Sequence, residues 1–171
     1  TTASGFASTA MGEGTTASGG SSTAMGDRTD AIGTKSTAMG DRTTASGTAS
    51  TAMGQYATAS GYASTAMGKN TTASGDQSTA MGFLTTAPSF AEMAIGQYNT
   101  TYTPLGTIGW NSADRLFVIG NGPSSSVSSD AMIVYKDGST IINGALTLSN
   151  GSDSITLPNT DGISGQVLAT D

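Results

Sequence analysis

Side chains able to do chemistry are few here, and almost all of one kind. The chain has twelve carboxylates and six Lys or Arg residues, with no His and no Cys. That leaves no imidazole base, no thiol nucleophile, no disulfide framework and no Cys/His zinc site. Ser and Thr are abundant, but none has a His or an evident Lys partner to activate it. Paired carboxylates on solenoid surfaces can cleave glycosidic bonds, and Asp114, Asp130 and Asp137 are where such a pair would be sought. No acidic pair recurs in a setting that suggests a cleft, and no EF-hand spacing is present. The expectation is a non-enzymatic chain with no metal and no cofactor.

Apolar bulk is as scarce as chemistry. Leu, Ile, Val and Phe make up 24 of 171 residues, well below the share an ordinary globular core requires. Only Phe6, Ile32, Phe83, Leu84 and Phe90 of these fall in the first 92 residues. The formal net charge is −6, made of −2 over residues 1–99 and −4 over 100–171. An acidic surface without basic clusters argues against a nucleic-acid partner. No apolar run approaches the roughly 18 residues of a membrane span, so direct membrane insertion by this segment is not expected. The pattern is already running at Thr1, which reads as a piece of a longer chain.

What positions these residues is a repeat. Gly recurs every seventh residue from Gly5 to Gly82, is replaced by Ser89, and returns at Gly96; Ala stands two residues before each of these positions. TASG and TAMG heptads alternate, so the true period is 14. A coiled coil needs two apolar positions per heptad, whereas this repeat has one large apolar residue per fourteen. A Gly every second helical turn would also cost about 1 kcal/mol each relative to Ala. Collagen needs Gly at every third residue. The remaining solution is a parallel β-roll with 14 residues per coil. Each heptad supplies about five extended residues and a two-residue corner, with Gly providing the backbone freedom, including positive φ, that a corner demands. Six clean coils over residues 2–85 would rise roughly 29 Å.

Strand parity assigns the faces. In Ser8-Thr9-Ala10-Met11-Gly12, the residues Ser8, Ala10 and Gly12 point one way, and Thr9 and Met11 the other. So small a coil has room inside only for Ala, Gly and Ser. Met11, Met25, Met39, Met53, Met67 and Met81, continued by Ile95, then form an exposed apolar ladder. Such ladders mark interaction surfaces, and the expected partner is an identical chain; the alternative is that Met fills the coil. The opposite face carries T-x-S pairs such as Thr44/Ser46 and Thr58/Ser60, broken at Asp30/Ile32, and a regular Thr array of this kind could order ice. Among the corner residues, Tyr56, Tyr62, Phe6 and Phe83 could contact a receptor, and Asp27 could pair with Arg42 one coil away.

ASGFASTAMGEGTTASGGSSTAMG resembles the head repeats of YadA-like trimeric autotransporter adhesins, over roughly residues 1–99. The resemblance implies a left-handed roll, three rolls around a threefold axis, an extracellular or outer-membrane setting and attachment to a surface receptor, protein or glycan. The family more often has Ile, Val or Leu where Met stands here, and Met makes the interface more adaptable.

Beyond Asn99 larger apolar residues appear, and a smaller β-rich cap or connector is expected over 100–171. Strand-like runs at 116–119, 131–135 and 140–148 are joined by a hairpin turn at Lys136–Ser139. A turn at Asn150-Gly151 and a shorter strand at Ser154–Leu157 follow, and 121–129 reads as a loop. RLFVIGNG, SDAMIVYKDG and the closing GQVLATD resemble phage tail-fibre segments, which leaves a spacer in a virion or injection-system fibre as the alternative to an adhesin head.

Overall fold

The computed structural model describes residues 1–149 and 154–157. Among the described residues there is no helix, and the chain winds as a parallel β-solenoid of about seven coils. Each coil gives one two-residue strand, from Thr2–Ala3 to Thr86–Ala87, and one five-residue strand, from Thr9–Glu13 to Met93–Gln97. The short strands stack into a seven-stranded sheet and the long ones into most of a ten-stranded sheet. Every rung is shifted by one 14-residue coil, so Met11 lies beside Met25, and Met25 beside Met39.

The two halves of a coil are less alike than five extended residues per heptad implied. After the short strand, the N–H groups of Ser18 and Gly19 both donate to the Ala31 carbonyl, at 3.0 and 3.3 Å. Sharing one acceptor curls the chain and ends the strand early. The short-strand glycines are needed for closeness rather than for φ: a Cβ on Gly33 would stand 2.0 Å from the Gly47 carbonyl oxygen. The long-strand glycines have positive φ as well, 123° at Gly40, a region nearly closed to other residues. In each corner the second residue is left-handed, including Arg28, Arg42, Tyr56 and Lys35. Its N–H donates to the preceding coil, as Tyr56 does to the Asp41 carbonyl at 2.9 Å. Stacking thereby holds a conformation that costs about 1–2 kcal/mol for a non-glycine residue.

The interior has five columns. Ala17, Ala24 and their repeats are 0% exposed, beside buried Gly19, Ser22 and Thr15 and their repeats. The Thr column was not foreseen. The long-strand glycines were expected inside but lie exposed at Gly26, Gly40 and Gly54, because their positive φ breaks the alternation.

The sheet then crosses residue 100. Arg115–Asn121 pairs parallel with Met93–Gln97, placing Phe117, Val118, Ile119 and Gly120 beside Met93, Ala94, Ile95 and Gly96. Asp130–Tyr135 and Thr140–Ile142 follow antiparallel. The expected turn joins them, with Gly138 at φ 92° and the Tyr135 N–H donating to the Ser139 carbonyl at 2.8 Å. Leu146–Ser149 and Ser154–Leu157 pair as a separate two-stranded sheet. The Asn150-Gly151 turn and the GQVLATD segment lie outside the described residues.

Candidate assembly face and its polar end cap

Because Ala occupies the inner side of each long strand, Thr and Met must occupy the outer side. Met11 is 56% exposed, Met25 and Met81 about a third, and Met39, Met53, Met67 and Ile95 are half-buried along one straight ladder. Packing Met inside the coil is thus excluded: the interior columns are full without it. Thr9, Thr23 and their repeats form a parallel column on the same face. The Thr and Met columns carry no charged residue from Thr9/Met11 to Thr79/Met81; the charges of this sheet, Glu13, Asp27, Asp41 and Lys69, stand at the strand ends.

The four candidate receptor-contact residues are not brought together. Thr44 and Thr58 are adjacent, half-buried rungs of the seven-stranded sheet. Tyr56 lies at the corner after a long strand and Tyr62 at the opposite corner, both exposed. The Arg42 guanidinium lies 5.3 Å from the Tyr56 ring centroid and donates to its hydroxyl at 2.8 Å. Arg42 also pairs with Asp41 at 3.3 Å, and Arg28 with Asp27 at 3.4 Å. The expected Asp27–Arg42 pair is therefore replaced by contacts within each corner, because Arg42 turns toward the next coil. Gln55 donates to Asp41 at 2.8 Å along the same edge. Farther up, Phe83 meets Tyr98 edge to face at 5.1 Å. An uncharged groove of about 190 Å³ opens there, lined in part by Tyr98, Asn99, Thr101 and Ser128.

The last coil is built differently. Ser89 replaces the interior Gly, Glu92 the interior Ser and Asn99 the interior Thr, and all three are buried. Asn99 takes the place of the missing next coil: its Oδ1 accepts the Thr86 N–H at 2.8 Å and its Nδ2 donates to the Thr86 carbonyl at 3.0 Å. Glu92 Oε2 accepts the Ser89 N–H at 2.9 Å and the Tyr102 hydroxyl at 3.2 Å. Its Oε1 is buried with no partner. Burial raises the Glu92 pKa, and the Ser89 and Tyr102 hydrogen bonds offset only part of this. Burial likewise pushes Tyr102 up to about 12 and Lys136 down, the latter against the pull of Asp114 and Glu92.

The carboxylates considered for catalysis have structural partners. Asp114 accepts the Leu105 and Gly106 N–H groups at 2.9 and 2.8 Å. Asp130 accepts the Thr100 N–H at 2.9 Å and its hydroxyl, and pairs with Arg115 at 3.4 Å. Arg115 donates to the Thr100 carbonyl at 2.7 Å and lies 4.6 Å from the Tyr102 ring centroid. Lys136 Nζ donates to the Ser89 hydroxyl at 2.9 Å. Asp137 is exposed in the hairpin, its carboxyl held below the usual range by the Ser139 hydroxyl and N–H. Among the described residues no His, Cys, Asp or Glu cluster could hold a metal ion.

A family model described as YadA head domain repeat (2 copies) matches three consecutive segments, residues 3–29, 31–57 and 59–85, together just under half of the chain. Residues 3–85 belong to the YadA head repeat family. No curated protein and no solved structure matches the chain. The YadA head match ends at Thr85, two residues before the short-strand sheet ends at Ala87. The expected tail-fibre resemblance of the later residues has no match beside it.

Sequence reasoning missed the polar cap that closes these head repeats. Its signal was present: Ser89, Glu92 and Asn99 are the positions where larger polar residues replace the repeat's small interior ones. Strand parity alone could not show that Tyr102, Arg115 and Asp130 return to cover them.

Proposed function

We propose that the chain is a trimeric, extracellular, non-enzymatic head module that attaches its parent fibre to a host or environmental surface. The observation that carries this reading is the pair of uncharged Thr and Met columns on a coil whose interior is only Ala, Gly, Ser and Thr. Each Met buried between copies would contribute on the order of 1.5–3 kcal/mol, so the core a single chain lacks is completed between chains. The YadA head family supports the threefold count and the surface setting. The mechanism is presentation: three identical sets of corners and end loops on a rigid axis, giving avidity without a deep pocket. Ice binding through Thr44 and Thr58 is disfavoured, because Asp30 and Ile32 interrupt both columns of that face.

The test is retention of the fluorescently labelled chain on cultured epithelial cells, immobilised matrix proteins and a glycan array. The expected result is saturable binding to one class, at least tenfold weaker for Met39→Asp/Met53→Asp. A trimer retained on none of these surfaces would overturn attachment and leave the spacer reading.

A further inference from the structure

We infer that the three strands Arg115–Asn121, Asp130–Tyr135 and Thr140–Ile142 form the principal clasp between copies of the chain, with the Met ladder as its weaker extension. The inference rests on the trimeric reading above and assigns most of the self-association to a segment outside the repeat family match.

The outer columns of the long-strand sheet run on without a break. The Thr column passes from Thr79 to Met93, Phe117, Val134 and Thr140, and the Met column from Met81 to Ile95, Ile119, Met132 and Ile142. Six rungs of the repeat thus carry one large apolar residue each, whereas Met93/Ile95, Phe117/Ile119 and Val134/Met132 carry two. None of these side chains is fully buried, while Ala94, Val118 and Ile133 between them are. Of the local charges, Glu92, Asp114, Arg115, Asp130 and Lys136 are buried on the inner side, and Asp137 stands in the hairpin turn beyond the strand ends. The two outer columns are left uncharged along ten strands, about 43 Å at the usual spacing, and the charges at the strand ends, Glu13, Asp27, Asp41 and Lys69, all belong to the repeat.

A second copy is the occupant this pattern fits. In a threefold arrangement each rung meets itself at its own height, so apolar faces apolar from Thr9 to Ile142 with no register to search. Ile and Val are stiff at χ1 and lose less freedom on burial than Met. The double-apolar rungs therefore gain more area at a lower entropic cost than the Met ladder.

Because the chain has no Cys, single thiols report proximity cleanly. Met132→Cys, Met39→Cys and, on the exposed short-strand face, Ser46→Cys would be oxidised mildly and run on a non-reducing gel. Interchain disulfides are expected at Met132→Cys and Met39→Cys, and none at Ser46→Cys. In a dilution series followed by sedimentation velocity, Ile119→Ser/Met132→Ser should raise the trimer dissociation midpoint at least tenfold more than Met39→Ser/Met53→Ser. Crosslinking at Met39→Cys without Met132→Cys, or equal weakening by the two pairs, would overturn the clasp and leave the trimer standing. A wild-type chain that sediments as a monomer, with no interchain disulfide in either the Met132→Cys or the Met39→Cys variant, would overturn both. The single-thiol variants keep the test valid if the serine pair fails to fold.

Discussion

Inside the coils from Thr15 to Ala87 every buried side chain is Ala, Gly, Ser or Thr, whereas the end of the roll buries Glu92, Asn99, Asp114, Arg115, Asp130 and Lys136. Both regions belong to one continuous ten-stranded sheet. In the repeat, most backbone N–H groups donate to a carbonyl one coil away and the Ser22-type N–H to the Gly three residues back, so the main chain satisfies itself with little help from side chains. At the end there is no next coil. Side chains must then supply the acceptors: Asn99 for Thr86, Glu92 for Ser89, Asp114 for Leu105 and Gly106. Repetition allows an interior without charge, and stopping the repetition brings charge inside.

The sharpest way to break this contrast is to add one methyl group. Gly54→Ala would put a Cβ 2.1 Å from the Gly68 carbonyl oxygen at a φ of 116°. Strain and overlap together should cost about 3–5 kcal/mol. Gly109→Ala, in the loop of the cap with nothing within 4 Å, should change thermal stability by less than about 0.5 kcal/mol. Equal melting temperatures for the two variants would show that the coils are not backbone-packed as described.

Removing one partner of the buried ion pair tests the cap in the same way. Asp130→Ala leaves Arg115 without its carboxylate and should destabilise residues 100–135 by about 3 kcal/mol. Hydrogen exchange should report the loss there, with protection unchanged from Thr15 to Ala80. Uniform loss over both regions would mean that roll and cap unfold as one unit.

Glu92 gives a smaller effect with a definite pH dependence. Burial raises its pKa above the ordinary 4.5, so on raising the pH the unfolded chain ionises before the folded one. Stability is therefore lost from about pH 4.5 upward, until the folded pKa is passed. Glu92→Gln removes that loss. It should melt a few degrees above wild type at pH 7, with the gap closing toward pH 4.5. Asp137 acts in the opposite sense only around and below its ordinary 3.8, outside this window. A gap that is constant with pH would show that burial does not raise the Glu92 pKa.

The smallest effect belongs to the exposed corners. Arg42→Ala loses the Asp41 pair and the Tyr56 contact, yet should cost less than about 1 kcal/mol in a melting curve. A larger loss would mean that the edge is not simply solvated.

The repeat was legible because each of its constraints is local and recurs. Ala before Gly at a fixed spacing forces strands and corners, and parity sends Thr and Met outward. What could not be read was where parity fails, as at Gly26 and Gly40, whose positive φ turns them out of the coil. The cap was hidden for a different reason. Tyr102, Arg115 and Asp130 meet Glu92 and Thr100 through a chain reversal that no spacing encodes, although Ser89, Glu92 and Asn99 marked where the repeat stops. Leu116–Ile119 read as a generic strand and Asn121 as loop, yet the register of Phe117–Asn121 beside Met93–Gln97 makes this an eighth long strand of the same sheet.

The central claim is that the Thr/Met face completes the core between chains. Molar mass in solution by light scattering tests it most directly, on the wild-type chain and on Met39→Asp/Met53→Asp. The account predicts three times the 16.9 kDa of one chain for wild type, and dissociation by the double substitution. A wild-type chain of 16.9 kDa with a cooperative melting transition would contradict it.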